Sequence, residues 1–175
     1  MMMETVDRET TTNQAAASLN EVIVRAAGLA DLAVLLKFEQ AIIDSERPFD
    51  PHLRSGDDVH YYDLRAMIAA EDVRVVVAEL GSDIIGSGYA RIENSKPYLK
   101  HRKHAYLGFM YVVPEHRGNG VNRRIVDDLE AWSVSQGVQQ IRLEVYASNV
   151  PAIKAYEKAE YVPVLLEMQK SINEL

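Results

Sequence analysis

Apolar residues recur along this chain with two periods, and each change of period marks a new element. Leu32, Leu35, Leu36, Ile42 and Ile43 follow helical spacing after an opening Gly28-Leu29-Ala30-Asp31, and Pro48 and Pro51 end that run. Ahead of it, residues 22–25 predict a short strand. Asp58 is a candidate N-cap for a second helix reaching Ala70, with Tyr62, Ala66 and Ala69 along one face. Valine- and isoleucine-rich runs at 73–80 and 84–93 predict a hairpin turned at Gly81-Ser82-Asp83, and 104–113 predicts the next strand. Val121, Ile125, Leu129 and Trp132 restore the helical period, with Gly137 positioned to terminate the helix. Residues 138–146 and 162–170 predict two more strands, separated by a helix that follows Asn149. The first twenty residues, polar and rich in Thr and Ala, predict a flexible tail at 1–20, leaving 21–175 as one domain.

Composition narrows the chemistry. A chain of 175 residues with 47% apolar residues can bury one substantial core. A formal charge of −7 argues against general nucleic-acid binding and is compatible with a cationic ligand such as an amine. With no cysteine, a disulfide framework, a thiolate zinc site and an acyl-cysteine intermediate are all excluded. No apolar run approaches the ~18 residues of a membrane span, and no apolar signal core opens the chain, so the expectation is a cytoplasmic protein without a membrane partner. The basic stretch 96–104 reads as a solvated turn between strands, not as a nucleic-acid surface. His52, His60, His101, His104 and His116 lack metal-ligand spacing, and no metal is expected.

The strongest chemical feature is the turn Pro114-Glu115-His116-Arg117-Gly118-Asn119-Gly120, which lies between a buried strand and a helix. The first N–H groups of a helix have no partner within it, and the macrodipole adds partial positive charge, so a pyrophosphate fits there. Gly118 and Gly120 leave room for oxygen to approach the backbone, and Arg117, Arg123 and Arg124 add formal charge nearby. The dinucleotide-binding fingerprint fits poorly because its third Gly is missing, and no Gly-Lys-Ser/Thr follows to make a P-loop.

Arg117-Gly118-Asn119-Gly120-Val121-Asn122 resembles the R-x-x-G-x-G/A loop of the GNAT superfamily of N-acyltransferases, and residues 149–158, from Asn149 to Lys158, resemble its N-x-x-A-I-x-x-Y-x-K segment. Asn122 stands where that family usually has Gly or Ala, and Glu160 where a Gly commonly precedes the aromatic. The resemblance implies an α/β fold with a mixed, mostly antiparallel central sheet flanked by helices, in the order β-α-α-β-β-β-α-β-α-β. It also implies transfer of an acetyl or short acyl group from acetyl-CoA to a primary amine by direct attack. Expected to bind the cofactor are Met110, Tyr111, Val112 and Val113, the residues Arg117, Gly118, Asn119, Gly120, Val121 and Asn122, and Asn149 and Tyr156. Tyr156 is the implied general acid; Asn149 fits helix capping and cofactor contact equally.

Leu143-Glu144-Val145-Tyr146-Ala147-Ser148-Asn149 is similar to a strand of the ribosomal-protein N-terminal acetyltransferases, which makes Glu144 the candidate base. Glu39, a charge interrupting the apolar stripe of the first helix, is its rival. Glu46, Tyr89 and Glu93 are further candidates for contact with the acceptor, a small-molecule amine or a protein N-terminus. The resemblance leaves a homodimer open. Two other readings stand beside the enzyme: a noncatalytic acyl-CoA binding module, and an interaction protein using the basic hairpin.

Overall fold

The computed structural model describes residues 21–56 and 58–172, so the tail expected at 1–20 lies outside the described residues. These residues form two compact units, one through Glu144 and one from Val145. In the first, strands β1 (Ile23–Ala26), β2 (Val73–Leu80), β3 (Asp83–Asn94), β4 (Lys103–Val112) and β5 (Ile141–Leu143) lie side by side in chain order. Every neighbouring pair is antiparallel except β4 and β5, which run parallel. This mixed, mostly antiparallel sheet is flanked by helices α1 (Leu32–Glu46), α2 (Leu64–Ala69) and α3 (Val121–Ser135).

Alternation along the strands assigns the two faces. Val75, Val77, Tyr89 and Phe109 pack in one cluster with Leu35, Phe38 and Ile42 of α1 and Leu64 and Met67 of α2. Fully burying each large aliphatic contributes roughly 1.5–3 kcal/mol, so this cluster and the α3 contact hold the layers together. On α3 the buried residues are Val121, Ile125, Val126, Leu129 and Ser133. That helix reaches the sheet over glycine: a Cβ at Gly88 would lie 2.7 Å from Ile125 Cγ2, and one at Gly86 would lie 3.0 Å from Ile125 Cδ1.

Several elements depart from the sequence expectation for identifiable reasons. The second helix starts at Leu64, not near Asp58, because Asp63 caps it by accepting from the Ala66 amide at 3.0 Å. Asp58 instead pairs with Arg54 across 3.2 Å, and Leu64 and Met67 form the buried face. On α1 the inward residues are Leu35, Phe38, Glu39, Ile42 and Ile43, while Leu36 is exposed. The strand expected at 138–146 is paired only from Ile141 to Leu143. No strand forms at 162–170; Val162, Val164, Leu165, Leu166 and Met168 are exposed, and Pro163 removes one ladder donor.

In the second unit, helix α4 (Val150–Lys158) is capped by Asn149, whose Oδ1 accepts from the Ala152 amide at 3.3 Å. Its last turn closes with Glu160 in the left-handed region at φ 68°, the place where a Gly is usual.

Candidate functional site

The start of α3 is built as the turn chemistry requires. Gly118 and Gly120 both adopt the left-handed conformation, at φ 77° and 79°, and Gly120 is the N-cap. No side chain caps the helix, so its first-turn amides keep their donors for an external acceptor. A Cβ at Gly118 would meet only open space, so its glycine serves backbone conformation. Val121 is buried and anchors the turn, while Asn119 is exposed and Asn122 half-buried.

The three arginines near this turn are already engaged. Arg117 donates through Nε to the Val112 carbonyl at 2.8 Å, and its guanidinium lies 5.7 Å from the Tyr111 ring centroid. Arg123 pairs with Asp127 at 2.7 Å, and Arg124 donates to the Val22 carbonyl at 2.7 Å. Arg117 remains exposed beside the turn, but its hydrogen bond first serves to close the loop onto β4.

Beside that turn, β4 carries a bulge. Tyr89 of β3 pairs with Gly108 and Ser87 with Tyr111, so two steps on β3 span three on β4. The extra residue is accommodated at Phe109, whose φ is 57° and whose carbonyl accepts from Ser87 Oγ at 3.2 Å. Parallel pairing with β5 stops at Leu107 and Leu143, and beyond it Gly108, Tyr111 and Val112 have their register partners on β3. Of Met110 to Val113, expected to bind the cofactor, Val113 has its amide already engaged: it donates to the Ile85 carbonyl at 2.9 Å. Strand alternation then turns the Val112 amide to the open edge.

One face of the same sheet forms an open cleft of about 640 Å³, lined by His60, Tyr61, Tyr62, Tyr89, Arg91, Glu93, Tyr106 and Glu144. Strand geometry brings these together: Tyr89, Arg91 and Glu93 share a face at period two, and Arg91 pairs across to Tyr106. Gly108 lies opposite Tyr89, and a Cβ there would approach the Tyr89 ring to 2.7 Å, so the ring rests against bare backbone. Arg91 gives both Nε and Nη2 to Glu93 Oε1, and its guanidinium lies 5.8 Å and 5.9 Å from the Tyr89 and Tyr106 ring centroids. Burial pushes the Tyr106 phenol up, and the nearby Glu144 charge adds to the shift. Burial likewise raises Tyr62 and Tyr89, so all three are hydrogen-bond donors at neutral pH.

The sequence-derived candidates therefore divide. Glu144, Tyr89 and Glu93 meet in the cleft. Glu39 does not line it: its carboxylate is fully buried, with Oε1 accepting from the Tyr61 and Tyr62 amides at 2.8 and 2.9 Å and Oε2 lying 2.7 Å from His60 Nδ1. It fastens the cleft-lining loop to α1. Glu46 also lies off the cleft lining, half-buried; burial raises its carboxyl, with the Tyr61 hydroxyl opposing the shift. Asn149 and Tyr156 belong to the second unit, where Asn149 caps α4 and the Tyr156 ring meets Tyr161 edge-on, centroids 5.9 Å apart. His60, Tyr61, Tyr62, Arg91 and Tyr106 carry no signal of their own in the sequence. Alternation from Tyr89 to Glu93 could have reached Arg91; the others need the register and the loop contacts.

Among the described residues, no group of three or more His, Asp or Glu converges as a metal site, and no helix is long and apolar enough to cross a membrane.

Comparison with known proteins places this geometry in context. The profile of the Acetyltransferase (GNAT) family matches residues 39–161. An acetyltransferase of Sodalis glossinidius is 33% identical over 97 residues, covering 55% of this chain and 59% of that protein. The chain thus matches a little over half the length of that curated relative. A Bacillus halodurans protein solved at high resolution aligns with a TM-score of 0.78 at 19% identity, covering 86% of this chain and 99% of the other. A predicted acetyltransferase of Clostridium acetobutylicum, crystallised with acetyl-CoA, aligns with a TM-score of 0.68 at 20% identity, covering 85% and 96%. At these identities the structural matches speak for the fold.

Proposed function

Because the chain belongs to the GNAT acetyltransferase family, we propose that it transfers an acetyl group from acetyl-CoA to a primary amine by direct attack. The observation that carries the reading is the uncapped α3 N-terminus, opened by two left-handed glycines and flanked by the bulged, half-unpaired β4. That arrangement suits a strand-like ligand ending in a pyrophosphate. The first-turn amides from Gly118 to Asn122 would hold the diphosphate, and the open edge of β4 around Val112 would hold the pantetheine arm. The Clostridium relative crystallised with acetyl-CoA supports this choice of donor.

Bound acetyl-CoA supplies an activated thioester; the chain's own residues supply orientation and proton transfer. Glu144 takes a proton from the acceptor ammonium, freeing the nitrogen lone pair. The Val112 amide on the open edge polarises the carbonyl that this nitrogen attacks. Tyr156 would donate a proton to the sulfur as the C–S bond breaks, and the second proton that the nitrogen loses on becoming an amide would restore the phenol, a role supported by its place in the family segment. The tyrosine-lined cleft receives the amine, with Glu93 and Tyr89 among its contacts. As family members, two copies associating as a homodimer would fit this reading.

A coenzyme-release assay with acetyl-CoA over a panel of small amines and peptide N-termini tests the activity. Tyr156→Phe should lower kcat by about 10²-fold or more while changing coenzyme affinity far less. Calorimetry that detects no binding of acetyl-CoA or free coenzyme would remove the reading.

A further inference from the structure

Resting on the acetyl-transfer reading, we propose that Arg91 determines acceptor specificity, confining the tyrosine-lined cleft to singly charged primary amines with an apolar or aromatic body. Two carboxylates and one guanidinium line this cleft. Arg91 directs two donors onto one oxygen of Glu93, so the Glu93 charge is balanced within the protein. Glu144 makes no ion pair among the described residues and has the Tyr106 hydroxyl as its neighbour. Of the two carboxylates in the lining, Glu144 is therefore the one left without a cationic partner among the described residues, enough for one ammonium.

The position of the Arg91 guanidinium strengthens the restriction. It already lies over the Tyr89 and Tyr106 rings, the faces on which a second ligand cation would gain most. A diamine entering the cleft would bring its second charge toward a resident cation. The body of the ligand meets Tyr61, Tyr62, Tyr89 and Tyr106, whose rings pack edge to face or tilted with centroids 5.4 to 6.4 Å apart. Those walls suit carbon more than charge.

Arg91→Met keeps an unbranched stem over the rings and leaves Glu93 with His104 Nε2, 3.7 Å from Oε2, as its remaining ion-pair neighbour among the described residues. Burial lowers the pKa of that imidazole, so Glu93 becomes a second anion and the cleft should then accept a dication. The test compares phenethylamine with butane-1,4-diamine on the full chain, by calorimetry without acetyl-CoA and by coenzyme release with it. The wild type should bind phenethylamine at least tenfold more tightly than the diamine. Arg91→Met should shift that ratio at least tenfold toward the diamine, and adding Glu93→Gln should return it. A wild type that binds the diamine equally well or binds neither amine overturns the assignment, as does an unchanged ratio in Arg91→Met. If the amines bind in the expected pattern but no coenzyme is released, the acetyl-transfer reading fails while the role of Arg91 in selecting charge stands.

Discussion

Glu160 ends α4 in a conformation that side chains avoid. The Tyr161 amide reaches the Tyr156 carbonyl at 3.0 Å and the Glu160 amide reaches the Glu157 carbonyl at 3.0 Å, which completes a Schellman closure around a left-handed residue. The edge-on contact between Tyr156 and Tyr161 supplies the apolar pair that accompanies this motif. Glu160→Gly should therefore raise stability by about 1 kcal/mol, measured as a higher urea midpoint with unchanged slope. Glu39 presents the opposite case, a costly group fully compensated. Glu39→Ala strands two backbone donors and the His60 ring, and should cost about 3 kcal/mol in urea unfolding. Because the freed loop lines the cleft, the acceptor KM should rise as well.

At the scale of elements, α3 and its preceding turn carry the proposed coenzyme site. Its apolar period and the left-handed Gly137 at φ 78° make this helix legible in the sequence, since both signals are local. Gly120→Ala should cost about 1 kcal/mol through its left-handed φ, and should weaken coenzyme binding by about tenfold as the first-turn amides rotate away. Calorimetry with free coenzyme, set beside urea unfolding of the same variant, separates the two effects. The bulge in β4 is different in kind: Phe109, a bulky core residue, gives no local hint of a left-handed φ. The pairing of its flanking residues, Gly108 with Tyr89 and Tyr111 with Ser87, imposes it. The second helix shows the same dependence, because the Tyr61 and Tyr62 amides that would have continued it toward Asp58 are bound to Glu39 on α1.

Across the whole first unit, charge ties distant segments together. Arg25 on β1 bonds Asp31 ahead of α1 at 2.8 and 2.9 Å and also Glu79 on β2, while Arg74 on β2 forks onto Asp128 of α3. The Arg25 guanidinium holds the carboxyls of Asp31 and Glu79 below their usual range. A depressed carboxyl stabilises the fold above its unfolded pKa of about 4, and that contribution disappears as pH falls through the folded value. Arg25→Met should therefore lose most stability near neutral pH, with the gap to wild type narrowing on acidification, as followed by urea unfolding from pH 7 to pH 3. A constant gap would mean that packing, not charge, accounts for Arg25. The order of elements from β1 through α4, the glycine-opened start of α3 and three members of the cleft, Tyr89, Glu93 and Glu144, were present in the linear chain, because periodicity and turn chemistry act over a few residues. The burial of Glu39, the occupied Val113 amide, the unformed strand at 162–170 and the meeting of Arg91 with Tyr106 were decided in three dimensions. Each depends on which backbone groups find partners across strands and loops far apart in sequence, and strand register is not encoded at any one position.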